Sequence, residues 1–475
     1  MISDFYKNIY IIGGNASGLA AASQARRVNP DLNITVIEST SYISYGSCGL
    51  PYFISGIVEK IDDLFTYSRD FFEEKRKIKI LLNHRVTGIN TAKKEITVLA
   101  APKEAFGNSD KIIVLNYDRL IICSGASPVK LDIPYSDSNN IFYLRNLEDA
   151  VNIKKFILQN NPKKAAIIGG GSVGILAAEA LNKLGLKVTV IESGKKIFND
   201  YEDEITDILN ENLKSAGIEI IIRSRVKSFS LSKSSNTCYG INGFTEFDST
   251  EESFYLETDL IVICAGVKAN TDFLNNSFID LGKKNAIKVT PKQQTNMPNI
   301  FAAGDCTLVR NIITNRLEYI PTANNAIKTG RIAGANAAGQ DEEFVGSLAT
   351  KVDRIFGIEI ARTGIGLSEA FEYRFNAIKI TEGYSSHVKA IPGSQDITIA
   401  LIVDKNTRRI LGAQMIGKEN VAKRIDIFAA ALSSEMTVDD VYMLDLSYAP
   451  PISTAPDAVN KICGKAALML NKLKS

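Results

Sequence analysis

Two stretches of the chain carry the same order of apolar and polar positions. Each begins with a short apolar run, at Ile9–Ile12 in the first stretch and at Ala165–Ile168 in the second. A glycine-rich turn comes next, and an amphipathic stretch follows it. Because short apolar runs favour buried strands and a 3.6-residue period favours helices, each stretch predicts a strand, a tight turn and a helix. A further apolar strand follows each helix, at Asn33–Ile37 and at Lys187–Ile191.

Glycines in the second turn have the spacing of a dinucleotide-binding fold. The G-x-G-x-x-G pattern is complete at Gly169, Gly171 and Gly174, and Glu192 ends the next strand. In such a fold the backbone N–H groups at the helix start bind a pyrophosphate, and the acidic residue accepts hydrogen bonds from a ribose. The second stretch therefore predicts a nucleotide site.

The first turn has the same elements with one difference. Gly13, Gly14 and Gly18 precede Glu38, which ends the next strand, but Asn15 stands at the position of the middle glycine. An ordinary strand–turn–helix unit is the alternative interpretation of this turn taken alone. Two units in register favour a pair of dinucleotide-binding domains.

Another element is duplicated as well. Asp118–Gly125 and Asp259–Gly266 each predict a buried strand followed by a turn of small residues, which lets a nucleotide approach the backbone. Ala126 and Gly266 at these turns are candidate nucleotide contacts. The cysteine near the end of each strand is interpreted as a small buried residue.

After Gly346 the pattern changes. The alternation at Asp396–Val403 predicts an antiparallel sheet, and helices are expected around 421–433 and 458–470. The predicted fold class is α/β, with two Rossmann-like dinucleotide-binding domains and a C-terminal α+β domain for dimerisation. The predicted limits are 1–145 and 268–338 for the first domain, 146–267 for the second and 339–475 for the third.

Composition narrows the classes of function. Of the 475 residues 45% are hydrophobic and 23% are charged, and the formal net charge is +2, so we expect no nucleic-acid or membrane-surface partner. The six cysteines are scattered, which favours a reducing compartment, and we expect a cytoplasmic protein. With two histidines in the chain, we expect no metal site. Neither a signal peptide nor a membrane-spanning segment is predicted, because no apolar run approaches about 20 residues.

The segment around Cys48 carries a family resemblance. SYGSCGLPYFISG, at Ser44–Gly56, resembles the single-cysteine branch of the FAD-dependent pyridine nucleotide-disulfide oxidoreductases, which includes coenzyme A disulfide reductase, NADH oxidase and NADH peroxidase. The later segments GAQMIG, KRIDIFAAAL and LSYAPPIS resemble that branch as well. The resemblance therefore extends over nearly the whole chain.

The resemblance implies a homodimer with two cofactors, FAD and NADH or NADPH. It implies that FAD is held in the first domain by Gly13, Gly14, Gly18, Glu38, Ala126 and Asp305. It implies that the nicotinamide dinucleotide is held in the second domain by Gly169, Gly171, Gly174, Glu192 and Gly266. A carboxylate at Glu192 favours NADH, whereas the neighbouring Lys195 and Lys196 weaken that preference.

Cys48 is the candidate redox-active residue. Pro51 is a good first residue of a helix, and a helix start would stabilise a thiolate placed just before it. The dithiol members of the family carry a second cysteine five residues later, where this chain has Phe53. Cys48 would therefore pair with an outside thiol or form a sulfenic acid. A purely structural cysteine is the alternative.

The resemblance also implies which residues meet the substrate. Gln24, Arg27, Ser44 and Ser47 would contact it, and Tyr448 of the partner subunit would protonate the leaving thiolate. The alternative for Arg27 is a solvated position at a helix end, and for Tyr448 it is packing at the dimer interface.

Coenzyme A disulfide reductase is the expected activity. Ala16 stands where peroxidases and many oxidases of this branch place a histidine, and AASQARR resembles the coenzyme A disulfide reductases. An NADH oxidase or a persulfide reductase on the same scaffold is the alternative. Ser172 and Leu176 depart from the aromatic residue and the glutamate usual in the nicotinamide pocket. A flavoprotein that has lost its nicotinamide site and serves as a sensor or structural partner is therefore a third hypothesis.

Overall fold

The structure is a computed structural model that describes residues 7–100, 111–134, 138–232, 236–247 and 250–473. The first six residues, where the sequence predicts no signal peptide, lie outside the described residues. Among the described residues every helix is too short or too polar to cross a lipid bilayer.

The amino-terminal part of the chain builds a parallel sheet and a small antiparallel sheet. Its elements are β1 (Asn8–Ile12), α1 (Ala16–Val28), β2 (Asn33–Ile37), α2 (Leu50–Ser55), β3 (Ile78–Leu81), β4 (His84–Asn90), β5 (Glu95–Ala100), β6 (Lys111–Asn116), β7 (Arg119–Ile122) and β8 (Ala126–Pro128). Strands β7, β1, β2 and β3 lie side by side in parallel, and β4, β5 and β6 form the antiparallel sheet. Ile9 and Ile11 are fully buried because β1 is central and covered on both faces.

The middle of the chain repeats this plan. Its elements are β9 (Ile141–Tyr143), α3 (Leu147–Asn160), β10 (Lys164–Ile168), α4 (Ser172–Lys183), β11 (Lys187–Ile191), α5 (Asp203–Ser215), β12 (Glu219–Ile221), β13 (Ser224–Leu231), β14 (Cys238–Phe247), β15 (Thr250–Glu257) and β16 (Leu260–Ile263). The second parallel sheet has the order β12, β11, β10, β16, β9. Strand β9 thus pairs in this sheet although it precedes residue 146, where the second domain was predicted to begin.

The chain then returns to the first sheet. The next elements are β17 (Val267–Ala269), β18 (Ile300–Ala302), β19 (Val309–Arg310), β20 (Leu317–Glu318) and α6 (Ala323–Ala337). Strand β18 pairs with β7, and α6 packs against α1. A Cβ atom built on Gly334 would lie 2.1 Å from the carbonyl oxygen of Ala21, so glycine is required for this close helix contact.

The C-terminal part forms an antiparallel sheet with helices. Its elements are β21 (Lys351–Ile355), β22 (Ile358–Gly364), α7 (Leu367–Glu372), β23 (Ala377–Ser385), β24 (Asp396–Asp404), β25 (Ile410–Gly417), α8 (Val421–Ser433), α9 (Val438–Tyr442) and α10 (Ala458–Lys472). The strand order is β21, β22, β25, β24, β23. The predicted fold class, two Rossmann-like domains and a C-terminal α+β domain, is confirmed.

Strand β24 is more buried than its alternating pattern predicts. Ile399 and Leu401 pack on the side of α8 and α10, as expected for a sheet with one covered face. Ala400, on the other face, belongs to the same core cluster as Leu209 of α5. The C-terminal sheet is therefore covered on both faces, and the second Rossmann-like domain supplies one of the covers.

Candidate active site and its two cavities

The first cavity lies at the carboxyl ends of β1, β2 and β7, where a doubly wound sheet binds its ligand. Its volume is about 720 Å³. Among the residues of its wall are the predicted site residues Gly13, Gly14, Glu38, Ser47 and Ala126. These residues come from separate segments of the sequence, and the parallel sheet brings them to one edge.

Glu38 is held in a fixed orientation at this cavity. Its Oε2 accepts a hydrogen bond of 2.7 Å from the N–H of Gly14, and its Oε1 accepts one of 2.8 Å from the N–H of Thr40. Oε1 also accepts a hydrogen bond of 2.9 Å from the Thr40 hydroxyl. Oε2 accepts the bond from Gly14 as its one hydrogen bond within the described part of the chain, so this oxygen keeps capacity for a ribose hydroxyl. The geometry fits the nucleotide role predicted for this residue.

Two of the predicted glycines are needed for packing. Gly13 has a φ of +107°, and a Cβ on it would lie 2.2 Å from the carbonyl oxygen of Cys123. A Cβ on Gly18 would lie 1.9 Å from the carbonyl oxygen of Gly13, and Gly18 is not part of the cavity wall. Both glycines bring α1 close to the sheet, so that the helix start opens into the cavity.

Asp305 is not part of the wall of the first cavity. It lies in a short 3₁₀ turn, Gly304–Cys306, and its Oδ2 accepts a hydrogen bond of 2.6 Å from Arg145. Arg145 does line the cavity. The sequence analysis missed Arg145, because nothing in its local pattern signals a partner 160 residues away.

The second cavity lies at the matching edge of the second sheet and has a volume of about 610 Å³. Its wall includes Gly169, Gly171, Glu192 and Gly266. A Cβ on Gly171 or Gly266 would meet no atom within 4 Å, so at both glycines the backbone borders open space. Gly174 instead serves packing, since its Cβ would lie 2.0 Å from the carbonyl oxygen of Gly169.

Glu192 matches Glu38 in its hydrogen bonds. Its two carboxylate oxygens accept hydrogen bonds of 2.6 Å each from the N–H groups of Gly170 and Gly194. Of the two lysines that follow, Lys196 donates to Asp203 and to the carbonyl oxygen of Tyr201. Lys196 is therefore committed to the start of α5.

The two departures in the predicted nicotinamide pocket have different surroundings. Ser172 donates a hydrogen bond of 2.7 Å to Oδ1 of Asp353, a residue of β21. Burial raises the pKa of Asp353 above its ordinary value, and the Ser172 hydroxyl acts in the opposite direction. Leu176 packs against the apolar core of the second domain. Asp353 is a second residue that the sequence analysis missed.

Cys48 lies in a 3₁₀ turn, Ser47–Gly49, directly before α2. The predicted helix does begin there, at Leu50 with Pro51 in its first turn, but it is six residues long. Its dipole is therefore weaker than that of a longer helix. Ser47 lines the first cavity, and α2 packs against α4 beside the second. Cys48 is not itself part of either cavity wall, but it follows a residue of the first wall and precedes the helix that packs against α4.

The other thiols are protected. Cys48 is exposed and Cys264 is partly exposed, whereas Cys123, Cys238, Cys306 and Cys463 are buried. Burial raises the pKa of Cys264 to about 12 and that of Cys306 to about 11. Thiols with such high pKa values are almost fully protonated near neutral pH and therefore react slowly.

We expect iodoacetamide at pH 8 to alkylate one cysteine per chain in the folded protein, and that cysteine is Cys48. Among the six cysteines, all of which lie in the described part of the chain, Cys48 alone is exposed, and the thiols with raised pKa values stay protonated at this pH. Mass spectrometry of peptides from the native protein measures the modified positions. The urea-unfolded protein is the control, in which all six cysteines should react; alkylation of Cys264 as fast as Cys48 in the native state would contradict this expectation.

The predicted substrate contacts are only partly gathered. Arg27 is exposed and donates a hydrogen bond of 3.2 Å to Oε1 of Gln24, so both side chains lie at the surface of α1. Ser44 is buried, and its N–H donates to the carbonyl oxygen of Gly14. The neighbouring Arg26 has a structural role, because it donates to the carbonyl oxygens of residues 76 and 77.

A smaller cavity adjoins the Cys48 segment. Its volume is about 350 Å³, and aromatic and polar side chains line it, among them Ser41, Tyr42, Tyr67 and Arg69. Tyr45 forms a β-bridge with Phe65, another residue of this wall, which places the cavity beside the segment that leads to Cys48. Sequence patterns gave no signal for it.

Tyr448 lies on the surface of the C-terminal domain with 52% of its area exposed. Tyr442, Met443, Ile452 and Leu468 are exposed as well. A Cβ on Gly464 would lie 2.7 Å from the ring of Tyr442, so α10 and the end of α9 are in contact. We call these five exposed side chains the C-terminal apolar surface.

Comparison with known proteins identifies the family. A model of pyridine nucleotide-disulphide oxidoreductases matches residues 7–330, and a model of their dimerisation domain matches residues 354–459. The chain is 31% identical over 454 residues to an NAD(P)H sulfur oxidoreductase (CoA-dependent) of Pyrococcus abyssi, covering 95% of this chain and 96% of the relative.

Two further proteins are similar over nearly the full length. A coenzyme A disulfide reductase of Staphylococcus haemolyticus is 30% identical over 462 residues, covering 97% of this chain and 99% of that protein. The structure of an NAD-dependent persulfide reductase from A. fulgidus matches with a TM-score of 0.91 and 30% identity, over 98% of this chain and 84% of that one. The chain therefore belongs to the pyridine nucleotide-disulphide oxidoreductases, flavin-dependent enzymes that take their electrons from NADH or NADPH.

Proposed function

We propose that this protein reduces coenzyme A disulfide with electrons from NADH, through Cys48. The observation that carries the proposal is one exposed thiol that directly follows Ser47 of the first cavity wall and directly precedes α2, the helix packed against α4 at the second cavity. Full-length similarity to a coenzyme A disulfide reductase and to a CoA-dependent sulfur oxidoreductase supports coenzyme A as the thiol. Glu192, with both oxygens fixed by backbone N–H groups, supports NADH over NADPH because a carboxylate repels a 2′-phosphate.

The first cavity fits FAD. Gly14 and Glu38 would hold the adenosine end, the start of α1 would face the pyrophosphate, and Ala126 would border the dinucleotide. Arg145, oriented by Asp305, adds a cation to the same wall. FAD, when bound, passes two electrons from the nicotinamide to a disulfide. The second cavity would take the nicotinamide dinucleotide on Gly169, Gly171, Glu192 and Gly266.

Cys48 would act as the nucleophile. Its thiolate attacks one sulfur of the disulfide, a bond forms between that sulfur and Cys48, and the other half leaves as a thiolate. Two electrons from NADH then break the bond to Cys48, which restores its thiolate and releases the second thiolate. With two protons, one from solvent and one from NADH oxidation, the balance is one disulfide, NADH and H⁺ giving two thiols and NAD⁺. Arg27 and Gln24 at the surface of α1 and the smaller cavity beside Tyr45 are candidate contacts for the coenzyme A group.

Tyr448 would protonate the leaving thiolate from a second copy of the chain. A phenol near a developing thiolate is a competent general acid, and Tyr448 is exposed rather than packed in its own subunit. The C-terminal apolar surface supports a dimer, since covering it removes five large side chains from water. The match to a dimerisation domain over residues 354–459 agrees with this arrangement.

A heterodimer of two impaired variants tests this arrangement. We expect Tyr448→Phe to lower the turnover of coenzyme A disulfide about a hundredfold, because it removes the proton donor. Cys48→Ser should be inactive as well. A heterodimer of the two chains holds one complete site, with Cys48 from one chain and Tyr448 from the other, and should regain about half the activity of the wild-type dimer. Heterodimers purified with two affinity tags provide the measurement.

Two results would contradict the arrangement. An inactive heterodimer would place Tyr448 in the same subunit as the Cys48 it serves. A Tyr448→Phe homodimer with wild-type turnover would show that the Tyr448 hydroxyl is not the proton donor and that this side chain only packs at the interface. Tyr442→Phe is the matched control on the same surface and should keep wild-type turnover.

The location and the domain limits are further parts of the proposal. Six free cysteines, two of them accessible in some degree, support a reducing compartment such as the cytoplasm. The limits predicted above, 1–145 with 268–338, 146–267 and 339–475, remain our proposal, with β9 as a strand that crosses from the first part into the second sheet.

A persulfide reductase is the second candidate, favoured by the similarity to the A. fulgidus enzyme. An anaerobic titration with NADH and then with NADPH, read from the flavin absorbance, tests the nucleotide. Steady-state assays with coenzyme A disulfide, coenzyme A persulfide, glutathione disulfide and oxygen then test the acceptor. A wild-type protein that binds FAD but is not reduced by either nucleotide would support the sensor hypothesis and defeat both enzyme proposals.

A further inference from the structure

One side of the second cavity comes from the C-terminal domain. Lys351, the first residue of β21, lines the cavity together with Gly171 and Ser172 at the start of α4. We propose that the ammonium group of Lys351 binds the pyrophosphate of the nicotinamide dinucleotide, so that the C-terminal domain completes the nucleotide site. The inference rests on the proposed function, because it takes the second cavity as the site of that nucleotide.

The strand β21 is anchored beside the helix start. Side chains alternate along a strand, and here Lys351 and Asp353 are partly buried while Val352 and Arg354 are exposed. Asp353 accepts the 2.7 Å hydrogen bond from Ser172, the first residue of α4. Lys351 lies on the same face of β21, so its side chain reaches the end of the cavity at which α4 begins.

The location suits a phosphate group. Helix α4 has twelve residues and no acidic residue in its first turn, so its free N–H groups favour an anion. Glu192 marks the ribose end of the same cavity. A dinucleotide that runs from Glu192 past Gly171 therefore has its pyrophosphate at the helix start, where Lys351 adds a full positive charge.

Lys351 can also bind a ligand, because Asp200, the residue with which it is now paired, has a second cation as a partner. Its Nζ lies 2.6 Å from Oδ2 of Asp200, and Arg362 lies 3.0 Å from the same oxygen. Arg362 is 3% exposed and is also bound to Glu369 at 2.8 Å. Although burial works against it, the charges of Lys351 and Arg362 hold the pKa of Asp200 below its ordinary value. An ammonium has three donors, so contact with Asp200 leaves two for phosphate oxygens.

Binding of ADP-ribose to the oxidised holoenzyme tests the inference. This probe carries the pyrophosphate and cannot reduce the flavin, so isothermal titration reports binding alone. We expect Lys351→Met to raise the Kd for ADP-ribose about tenfold, as for the loss of a charged hydrogen bond. The variant should also weaken the dependence of Kd on salt. Arg354→Met is the matched control, with the same change of charge on the exposed face of the same strand, and should keep the wild-type Kd.

Each other outcome has a definite meaning. Lys351→Gln keeps a donor for Asp200 and should lose the same affinity, so it replaces Lys351→Met if that variant does not fold with FAD. Wild-type affinity in both variants would overturn the inference and leave Lys351 a partner of Asp200. Failure of both variants to fold would also overturn the inference, because Lys351 would then be required for the structure through Asp200. A wild-type enzyme that does not bind ADP-ribose would instead defeat the assignment of the second cavity in the proposed function.

Discussion

Replacing Cys48 with serine is expected to abolish disulfide reduction and to leave FAD binding unchanged. A serine hydroxyl is not ionised near neutral pH and cannot replace a thiolate nucleophile, so turnover of coenzyme A disulfide should fall at least about a thousandfold. None of the groups that line the first cavity with Glu38 changes, since Cys48 is not part of its wall. NADH consumption with coenzyme A disulfide measures the loss, and flavin absorbance per chain measures the cofactor.

The matched control is a second cysteine that takes no part in the proposed chemistry. Cys238 is buried in β14, where its thiol lies 3.1 Å from the carbonyl oxygen of Gly240. Cys238→Ser should keep the wild-type turnover. Reduction of the flavin by NADH should persist in Cys48→Ser, because the second cavity is intact. Disulfide turnover at the wild-type rate in Cys48→Ser would show that Cys48 is structural and that the proposed mechanism is wrong.

Gly334→Val is expected to abolish FAD binding. Helices α1 and α6 touch at Gly330 and Gly334, and a Cβ on Gly334 would lie 2.1 Å from the carbonyl oxygen of Ala21. The carbonyl oxygen of Ala21 belongs to the helix backbone and cannot rotate away as a side chain can, so the two helices must move apart. We expect a loss of at least about 3 kcal/mol in the free energy of unfolding, at the upper end for overpacked positions. Since α1 begins at the first cavity, its displacement should release the flavin.

Flavin fluorescence during urea unfolding, with the flavin content of the purified protein, measures both effects. Arg331→Val lies on the exposed side of the same helix and carries the same β-branched side chain. It should lower the stability by about 0.5 kcal/mol, the intrinsic cost of valine in a helix, and keep FAD. Retention of FAD at the wild-type level in Gly334→Val would mean that the first cavity does not depend on this helix contact.

Local patterns sufficed for the two Rossmann-like units. At four glycines a Cβ atom would clash with a backbone carbonyl oxygen of another segment or turn, so only glycine fits: Gly13, Gly18, Gly169 and Gly174. Such glycines therefore recur at fixed spacings in the sequence, where a local pattern can detect them. The acidic residues that end β2 and β11 follow from the same geometry, because a parallel strand delivers its last residue to the edge that holds the ligand.

The resemblance around Cys48 went further than the physical pattern. It pointed to Cys48 as the candidate redox cysteine, to Tyr448 and to Asp305, but it did not show which side chains surround each of them. Asp305 is not part of the first cavity wall but binds Arg145, which is, and the helix that follows Cys48 has only six residues. These details depend on which side chains neighbouring segments bring to the same point.

The sequence by itself determined the fold class and the two sheet edges at which nucleotides are expected, because each follows from residues close in the chain. It also indicated the candidate nucleophile, through the resemblance around Cys48. Only the tertiary structure decided that β21 supplies Lys351 and Asp353 to the second cavity, and that β24 is covered on both faces. Both results arise from the packing of the C-terminal sheet against α5 and α4. That packing depends on the shapes of surfaces formed by distant segments, which no local periodicity records.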